Sequence, residues 1–283
     1  MKVGIYSNLT RDIDGLATKA LVDFLVPEGH LVYISDELSE LSLAQKYYNR
    51  TELAKVSDIV IVFGGDGTIL GIAKECALYD AKIFAVNLGH MGYLAEVENI
   101  KLNKIIDDIS HNKYFVEERN MLEVEIKGST YTALNEVVFG RNSTKLLKCE
   151  VKVAGTILHK YNSDGIIICT PTGSTAYSLS AGGPIVSPDV GAIIITPICA
   201  HSLNSRPVVV GDNNKIEVKL IQREGQAHVS IDGKTVEDIT REDSVLIHKS
   251  PLTVKFLRLK KYNYYEKLLG KMSLWSSFDS EEQ

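Results

Sequence analysis

The segment that decides the fold reads Ile59-Val60-Ile61-Val62-Phe63-Gly64-Gly65-Asp66-Gly67-Thr68. Its first five residues are apolar and almost all β-branched, which is typical of a parallel strand that is buried on both faces. The glycines that follow indicate a tight turn, and a helix is predicted from near Thr68 to Ala77. A buried strand that leads through glycines into a helix predicts an α/β fold.

Strand and helix signals alternate on both sides of this segment. We predict strands at residues 3–6, 31–34 and 83–87, and helices at residues 12–26 and 42–48. Alternating strands and helices imply a doubly wound parallel sheet in the N-terminal part of the chain.

The pattern changes near Glu117, after which short strands and turn signals replace the helices. Apolar and polar residues alternate at 122–126 and 216–220, and Asp232-Gly233 is a hairpin signal after the strand at 229–231. We therefore predict a mostly antiparallel, β-rich second domain.

The domain boundaries follow from this change. The α/β phosphate-loop domain is predicted to span residues 1–116 and 257–283, and the β-rich domain spans residues 117–256. An amphipathic helix predicted at 264–275 would return the C-terminal segment to the first domain.

Charge and composition exclude several classes of protein. The formal net charge of −5 argues against nonspecific binding to nucleic acid or to anionic membranes. The most apolar stretch, residues 192–200, is shorter than the ~20 residues that span a bilayer. The four cysteines form no CxxC motif, and we interpret them as buried thiols in a reducing compartment: Cys76, Cys149, Cys169 and Cys199. We expect a soluble, cytoplasmic protein without a signal peptide.

The Gly64–Thr68 loop has the features of a phosphate site. Glycines allow the backbone to approach a ligand closely, and free N–H groups at the start of a helix favour an anion. Neither the GxGxxG pattern nor a Walker loop matches, since Leu70 replaces the third glycine and no Gly-Lys-Ser/Thr follows. Asp66 could act as a general base, help to hold Mg²⁺, or only cap the following helix.

Two further stretches have unusual polar composition. A predicted strand at 166–169 is followed at 170–184 by hydroxyl residues and glycines around Tyr177. We interpret this cluster as a nucleoside pocket rather than a linker. Asn135-Glu136 precedes the predicted strand at 137–139 and could hydrogen-bond ribose hydroxyls or a base edge.

Together, the motifs at 64–68, 135–136 and 164–184 resemble the bacterial NAD kinase family, and the likeness extends over nearly the whole chain. The resemblance implies transfer of the γ-phosphoryl group of ATP to the 2′-hydroxyl of the adenosine ribose of NAD⁺, with Mg²⁺ or another divalent cation. Some members of this family also use polyphosphate. It further implies NAD in a cleft between two domains, a returning C-terminal segment, and assembly into homodimers or homotetramers.

The resemblance also assigns roles to residues. Asp66 matches the general base and an NAD contact, Gly67 lies against the dinucleotide, and Asn135 and Glu136 match residues that hold NAD. His201 matches a contact near a neighbouring subunit's ligand site. The remaining implied NAD contacts are Lys145, Asn162, Asp164, Thr175, Ala176, Tyr177, Ser178, Leu179 and Ser180.

Two other functions use a similar loop. Lipid kinases, including diacylglycerol kinases, and the more distant phosphofructokinases resemble this family in the GGDGT loop, but the cluster at 170–180 fits neither a lipid groove nor a sugar pocket well. A noncatalytic dinucleotide sensor would be expected to lack Asp66. No metal-ligand set is predicted, because His30, His111, His159 and His248 lack the required spacing.

Overall fold

The structure is a computed structural model that describes residues 1–88, 92–95, 102–202, 204–221, 226–259 and 264–270. The chain divides into two compact units: unit 1 comprises Met1–Glu118 and Val254–Gln283, and unit 2 comprises Arg119–Thr253. Across the described part of the chain, no helix combines the length and the apolar character needed to cross a membrane.

Unit 1 is built on a parallel sheet, as the alternating pattern predicted. Its strands are β1 (Lys2–Ser7), β2 (Leu31–Ile34), β3 (Ile59–Phe63), β4 (Lys82–Val86) and the end of β16 (Ser244–Arg258). They pair in the order β2-β1-β3-β4-β16. Every residue of β3 is buried, as its β-branched run requires.

Helices follow the strands of unit 1 and cover apolar side chains. They are α1 (Leu16–Leu25), α2 (Arg50–Val56), α3 (Asp66–Leu70), α4 (Ala73–Leu78), α5 (Leu102–Ser110) and α7 (264–270), with 3₁₀ turns at Ile13–Gly15 and Asp36–Leu41. Leu21 and Leu25 of α1 pack in one core cluster with Ile61 of β3 and Phe84 of β4.

Three helix predictions in unit 1 need correction. The helix predicted at 12–26 begins at Leu16, since Asp14 and Gly15 have φ of 55° and 64°. The helix predicted at 42–48 is wrong: Ser42 is left-handed at φ 52°, and Tyr48 instead bridges Ser35 as an extended residue. The helix predicted at 68–77 begins earlier and is broken between α3 and α4.

Unit 2 is antiparallel. Its strands are β5 (Phe115–Ile126), β6 (Ser129–Ala133), β7 (Glu136–Arg141), β8 (Leu147–Val153), β9 (Thr156–Ser163), β10 (Gly165–Cys169), β11 (Ala192–Ile198), β12 (Val208–Gly211), β13 (Ile216–Leu220), β14 (Ala227–Ile231) and β15 (Lys234–Ile239). One sheet has the order β12-β11-β10-β7-β14-β15, and further strands pair as β16-β13-β8-β9 and β5-β6. One apolar cluster unites side chains from both groups of strands, among them Phe139, Ile168, Val218 and Ile247.

The segment that follows β10 lies on the opposite face of the six-stranded sheet. A 3₁₀ turn (Thr172–Thr175) and α6 (Tyr177–Ser180) follow β10. A second apolar cluster on this face contains Val138, Ile167 and Ile194. The sheet thus has a packed face and a face that bears the polar motif at 170–184.

The C-terminal segment returns to unit 1, where Phe256 of β16 pairs in parallel with Ile83 of β4. Helix α7 confirms part of the helix predicted at 264–275, and Trp275 lies outside the described residues. Three of the four cysteines are buried as predicted, but the prediction is wrong for Cys199, which is exposed directly after β11 and has a left-handed φ of 46°.

Candidate functional site

The phosphate-loop motif lies in unit 1 where β3 ends and α3 begins. Gly64 has φ of 152°, and a Cβ there would lie 2.3 Å from Thr68 Oγ1, so the turn requires glycine for conformation and for space. Gly65 precedes the helix, and its carbonyl accepts the N–H of Thr68 at 2.9 Å. Because Asp66 and Gly67 open the helix, their N–H groups have no intrahelical partner and can face an anion.

Asp66 does not cap this helix. The N-cap is Gly65, while the Asp66 carboxylate accepts the N–H of Tyr93 at 2.8 Å and that of Leu94 at 3.1 Å. A Cβ on Gly92 would lie 2.2 Å from Asp66 Oδ1, so the segment can approach only through a glycine. The two bonds fix the orientation of the carboxylate and leave further lone pairs on both oxygens.

In unit 2, the Asp232 carboxylate lies beneath the start of β7. It accepts the N–H groups of Leu134, Asn135 and Glu136 at 2.8, 2.8 and 3.0 Å. Asp232 and Gly233 have φ of 46° and 80°, which confirms the predicted Asp-Gly hairpin. Burial raises the pKa of Asp232, and the three N–H donors oppose that effect.

Glu136 is a second buried carboxyl group of this cluster, next to Asp232. Its side chain is only 6% exposed. Burial, and secondarily the charge of Asp232, raises the pKa of Glu136 to about 7. Oε2 of Glu136 has no hydrogen-bond partner among the described residues. An unsatisfied buried oxygen costs about 1–3 kcal/mol, so this atom marks a position where a ligand hydroxyl would donate.

Asn135 is held against the end of β10. Its carbonyl accepts the N–H of Thr170 at 2.9 Å, and Thr170 Oγ1 donates to the Leu134 carbonyl at 2.6 Å. A Cβ on Gly173 would lie 2.2 Å from the Asn135 carbonyl oxygen. The glycine of the 170–184 motif therefore allows the 3₁₀ turn to pack directly on the Asn135-Glu136 backbone.

The residues of the 170–184 motif differ in whether a ligand can reach them. Ser178 is buried and bonds Thr196 Oγ1 at 2.9 Å, which uses its hydroxyl inside the unit. Tyr177 and Ser180 are exposed, whereas Thr175, Ala176 and Leu179 are half-buried. The exposed and half-buried members are the ones that a ligand can reach.

Two of the other predicted contacts, Asn162 and Asp164, lie at the turn from β9 to β10. Asp164 Oδ1 is 3.0 Å from Arg141 Nε. The Asn162 carbonyl accepts the N–H of His201 at 2.8 Å, and Asn162 Oδ1 is a buried oxygen without a partner in the described chain. His201 and Lys145 are exposed. Asn162 Oδ1 is thus, after Glu136 Oε2, a second buried oxygen that could accept a hydrogen bond from a ligand.

Sequence reasoning missed the roles of Asp232 and Gly92. The Asp-Gly pattern marks Asp232 as a turn residue, but it does not show that the carboxylate accepts three backbone N–H groups about one hundred residues away. Gly92 carried no local signal, since its need for close approach depends on Asp66, which lies in a different segment.

Comparison with known proteins identifies the family. The model of the ATP-NAD kinase N-terminal domain matches residues 24–114, and that of the ATP-NAD kinase C-terminal domain matches residues 134–259. The chain belongs to the NAD kinase family. NAD kinases from Thermoanaerobacter sp. (strain X514) and Clostridium botulinum (strain ATCC 19397 / Type A) are each 36% identical over 279 residues. These matches cover 96% of this chain, and 99% and 96% of the respective relatives.

Solved structures of NAD kinases share the fold. Yeast NADH kinase complexed with NADH matches with a TM-score of 0.84 at 26% identity, covering 94% of this chain and 85% of that one. An NAD kinase from Archaeoglobus fulgidus in complex with ATP matches with a TM-score of 0.77 at 25% identity, covering 96% and 98%. The chain is thus a phosphotransferase of the NAD kinase type, not a lipid or sugar kinase.

Proposed function

We propose that this NAD kinase transfers the γ-phosphoryl group of ATP to the 2′-hydroxyl of the adenosine ribose of NAD⁺, giving NADP⁺. The observation that carries the proposal is the buried Glu136 carboxyl group, whose Oε2 lacks a partner among the described residues. A ribose diol supplies hydroxyl donors for such an oxygen, and the Asn135 amide beside it can bond a second ribose or base group.

Asp66 is the proposed general base. A ribose hydroxyl is a poor nucleophile, and a carboxylate within hydrogen-bond reach can accept its proton as the phosphoryl group is transferred. The N–H groups of Tyr93 and Leu94 hold the Asp66 carboxylate in one orientation while leaving lone pairs for the substrate. Asp66 thus has a carboxylate that is positioned to accept a proton, and it belongs to the loop proposed to bind the phosphates.

ATP is the proposed donor, and a divalent cation such as Mg²⁺ is the proposed cofactor. The Archaeoglobus fulgidus relative was solved in complex with ATP. Mg²⁺ in kinase sites is held by substrate phosphates, waters and one or two carboxylates, and the hard oxygens of Asp66 fit that donor set. The cation would neutralise charge on the phosphates, while the glycine loop positions them. Polyphosphate as an alternative donor is part of the same proposal.

The remaining contacts are proposed around the adenosine part of NAD. Gly67 is exposed in the loop and can lie against the dinucleotide. His201 is proposed to contact the ligand site of a neighbouring subunit in a homodimer or homotetramer. The other proposed NAD contacts are Lys145, Asn162, Asp164, Thr175, Ala176, Tyr177, Leu179 and Ser180; Ser178, which is buried and bonded to Thr196, is left out of this set.

The test of the activity uses NAD⁺, ATP and Mg²⁺, with NADP⁺ detected by an NADP-specific dehydrogenase. Asp66→Asn should lower kcat by at least ~100-fold, because general-base catalysis is typically worth ~10²–10⁴. The matched control is Asp23→Asn, which changes an exposed aspartate on α1. A variant with full activity would refute the role of Asp66. A protein that binds NAD⁺ but forms no NADP⁺ from ATP would refute the proposed reaction.

A second variant tests the ribose contact. Glu136→Gln should weaken NAD⁺ binding by about 10- to 100-fold, the equivalent of one hydrogen bond to a charged group. Calorimetry of NAD⁺ binding measures this directly, with exposed Glu242→Gln as the control. Unchanged NAD⁺ affinity in Glu136→Gln would place the ribose elsewhere.

A further inference from the structure

Three side chains that the proposed reaction does not use converge on one surface of unit 2. Glu123 and Glu125 lie two residues apart on β5, and His248 lies on β16, which pairs with β5. Residues two apart on a strand point to the same face. One ligand atom from each of the three side chains lies within 4.8 Å of the other two.

A backbone contact at Nδ1 fixes the orientation of the His248 ring. Its Nδ1 lies 2.9 Å from the Lys249 carbonyl oxygen, and because a carbonyl can only accept, Nδ1 carries the hydrogen. The other nitrogen, Nε2, therefore faces Glu125 Oε1 at 3.2 Å and Glu123 Oε1 at 3.6 Å. A ring N–H bound to a backbone carbonyl is the arrangement that commonly orients a metal-ligating histidine.

The separations match those of a coordinated metal. A tetrahedral ion with bonds of about 2.0–2.1 Å to nitrogen and oxygen separates its ligand atoms by about 3.3–3.5 Å. The two distances from His248 Nε2, 3.2 and 3.6 Å, lie on either side of this range. A small displacement of the long glutamate side chains would therefore complete the geometry.

The carboxylates of Glu123 and Glu125 also favour binding of a cation. Within the described residues, the ion pairs of Glu123 and Glu125 involve only His248, with no lysine or arginine. Glu125 is exposed, so water can occupy the coordination positions that the protein leaves open.

We propose that Glu123, Glu125 and His248 form a binding site for a divalent first-row transition ion, of which Zn²⁺ is the representative. One imidazole with two carboxylates suits Zn²⁺, whereas Mg²⁺ prefers an all-oxygen set. The ion would link β5 to β16 and stabilise this part of unit 2. The site is independent of the proposed phosphoryl transfer and is not assigned a part in it.

The test is calorimetric titration of the full-length, EDTA-treated protein with ZnCl₂ in the absence of nucleotide. The background is Cys199→Ser, which removes the exposed thiol as a competing ligand. We expect a saturable site of one ion per chain. His248→Ala and the isosteric Glu125→Gln should each weaken Zn²⁺ binding by more than ~10-fold, since loss of even an outer-shell partner costs 10–100-fold.

The matched control is His111→Ala. His111 is an exposed histidine that lies 3.1 Å from one carboxylate, that of Asp107, and among the described residues it forms no ion pair with a second carboxylate. Zn²⁺ affinity should be unchanged in this variant, and Zn²⁺ should raise the Tm of the control but not of His248→Ala. MgCl₂ should give no saturable binding at this site.

Two results would overturn the proposal. One is the absence of saturable Zn²⁺ binding to the Cys199→Ser protein. The other is wild-type Zn²⁺ affinity in both His248→Ala and Glu125→Gln, verified as folded by circular dichroism. Either result would leave the cluster as a set of polar contacts between His248 and two glutamates.

Discussion

The buried Glu136 carboxyl group predicts an unusual dependence of stability on pH. Its pKa is raised from about 4.5 to about 7 in the folded chain by burial and by Asp232. Below about pH 4.5 the group is protonated in both states and contributes no difference. Between about pH 4.5 and pH 7 the unfolded chain loses this proton while the folded chain keeps it, so folding becomes less favourable as the pH rises. The full penalty, reached above about pH 7, is about 3 kcal/mol for a shift of this size.

The perturbation is Glu136→Gln, which removes the titration while keeping the shape of the side chain. The Tm of the wild type minus that of the variant should fall by about 6 °C or more between pH 4.5 and pH 8, at 2–4 °C per kcal/mol for a chain of roughly this size. Thermal unfolding followed by circular dichroism measures both proteins in the same buffers. Glu242→Gln, which changes an exposed glutamate, should follow the wild type at every pH.

Parallel pH profiles for the wild type and Glu136→Gln would refute the reasoning, since they would show that the proton of Glu136 is lost at the same pH in the folded and unfolded chains. A difference that grows in the opposite direction would mean that Glu136 is stabilised as a carboxylate in the free protein. Addition of NAD⁺ provides a further check. A ribose hydroxyl that donates to Glu136 favours its charged form, so NAD⁺ binding should release a proton near pH 6.

Three shorter predictions concern close contacts and thiols. Gly92→Ala should lower the rate of NADP⁺ formation at least ~10-fold. The new Cβ would lie 2.2 Å from Asp66 Oδ1 and would displace the carboxylate from the N–H groups of Tyr93 and Leu94. A normal rate would show that these two hydrogen bonds are dispensable for catalysis. Gly173→Ala should destabilise the chain by about 1–3 kcal/mol in urea denaturation, as its Cβ would meet the backbone oxygen of Asn135 at 2.2 Å; an unchanged urea midpoint would contradict this contact. A thiol reagent such as DTNB should modify one cysteine per native chain, Cys199, since the other three are buried; rapid reaction of a second thiol would contradict the burial.

Local pattern was a sound guide where one segment determined its own structure. The apolar run of β3 and the glycine-rich turn after it predicted a buried parallel strand and a strand-to-helix junction, and both are present. The Asp-Gly turn at 232–233 was equally predictable, because a two-residue hairpin needs positive φ at both positions. In contrast, the helix predicted at 42–48 failed because an extended contact between Tyr48 and Ser35 outweighed weak local helix signals.

The sequence by itself determined the parallel and antiparallel halves, the family, and the motifs from which the candidate site is built. Each of these features depends on residues that are close together in the sequence, through the periodicity of apolar residues and the positions of glycines. Tertiary structure alone decided which groups meet: that Asp66 binds the backbone of residues 93–94 rather than capping its helix, and that Asp232 supports the amides of residues 134–136. It also brought Glu123 and Glu125 to His248 from more than one hundred residues away. Hydrogen bonds and ion pairs act over a few ångströms of space, and chain packing sets those distances independently of spacing along the sequence.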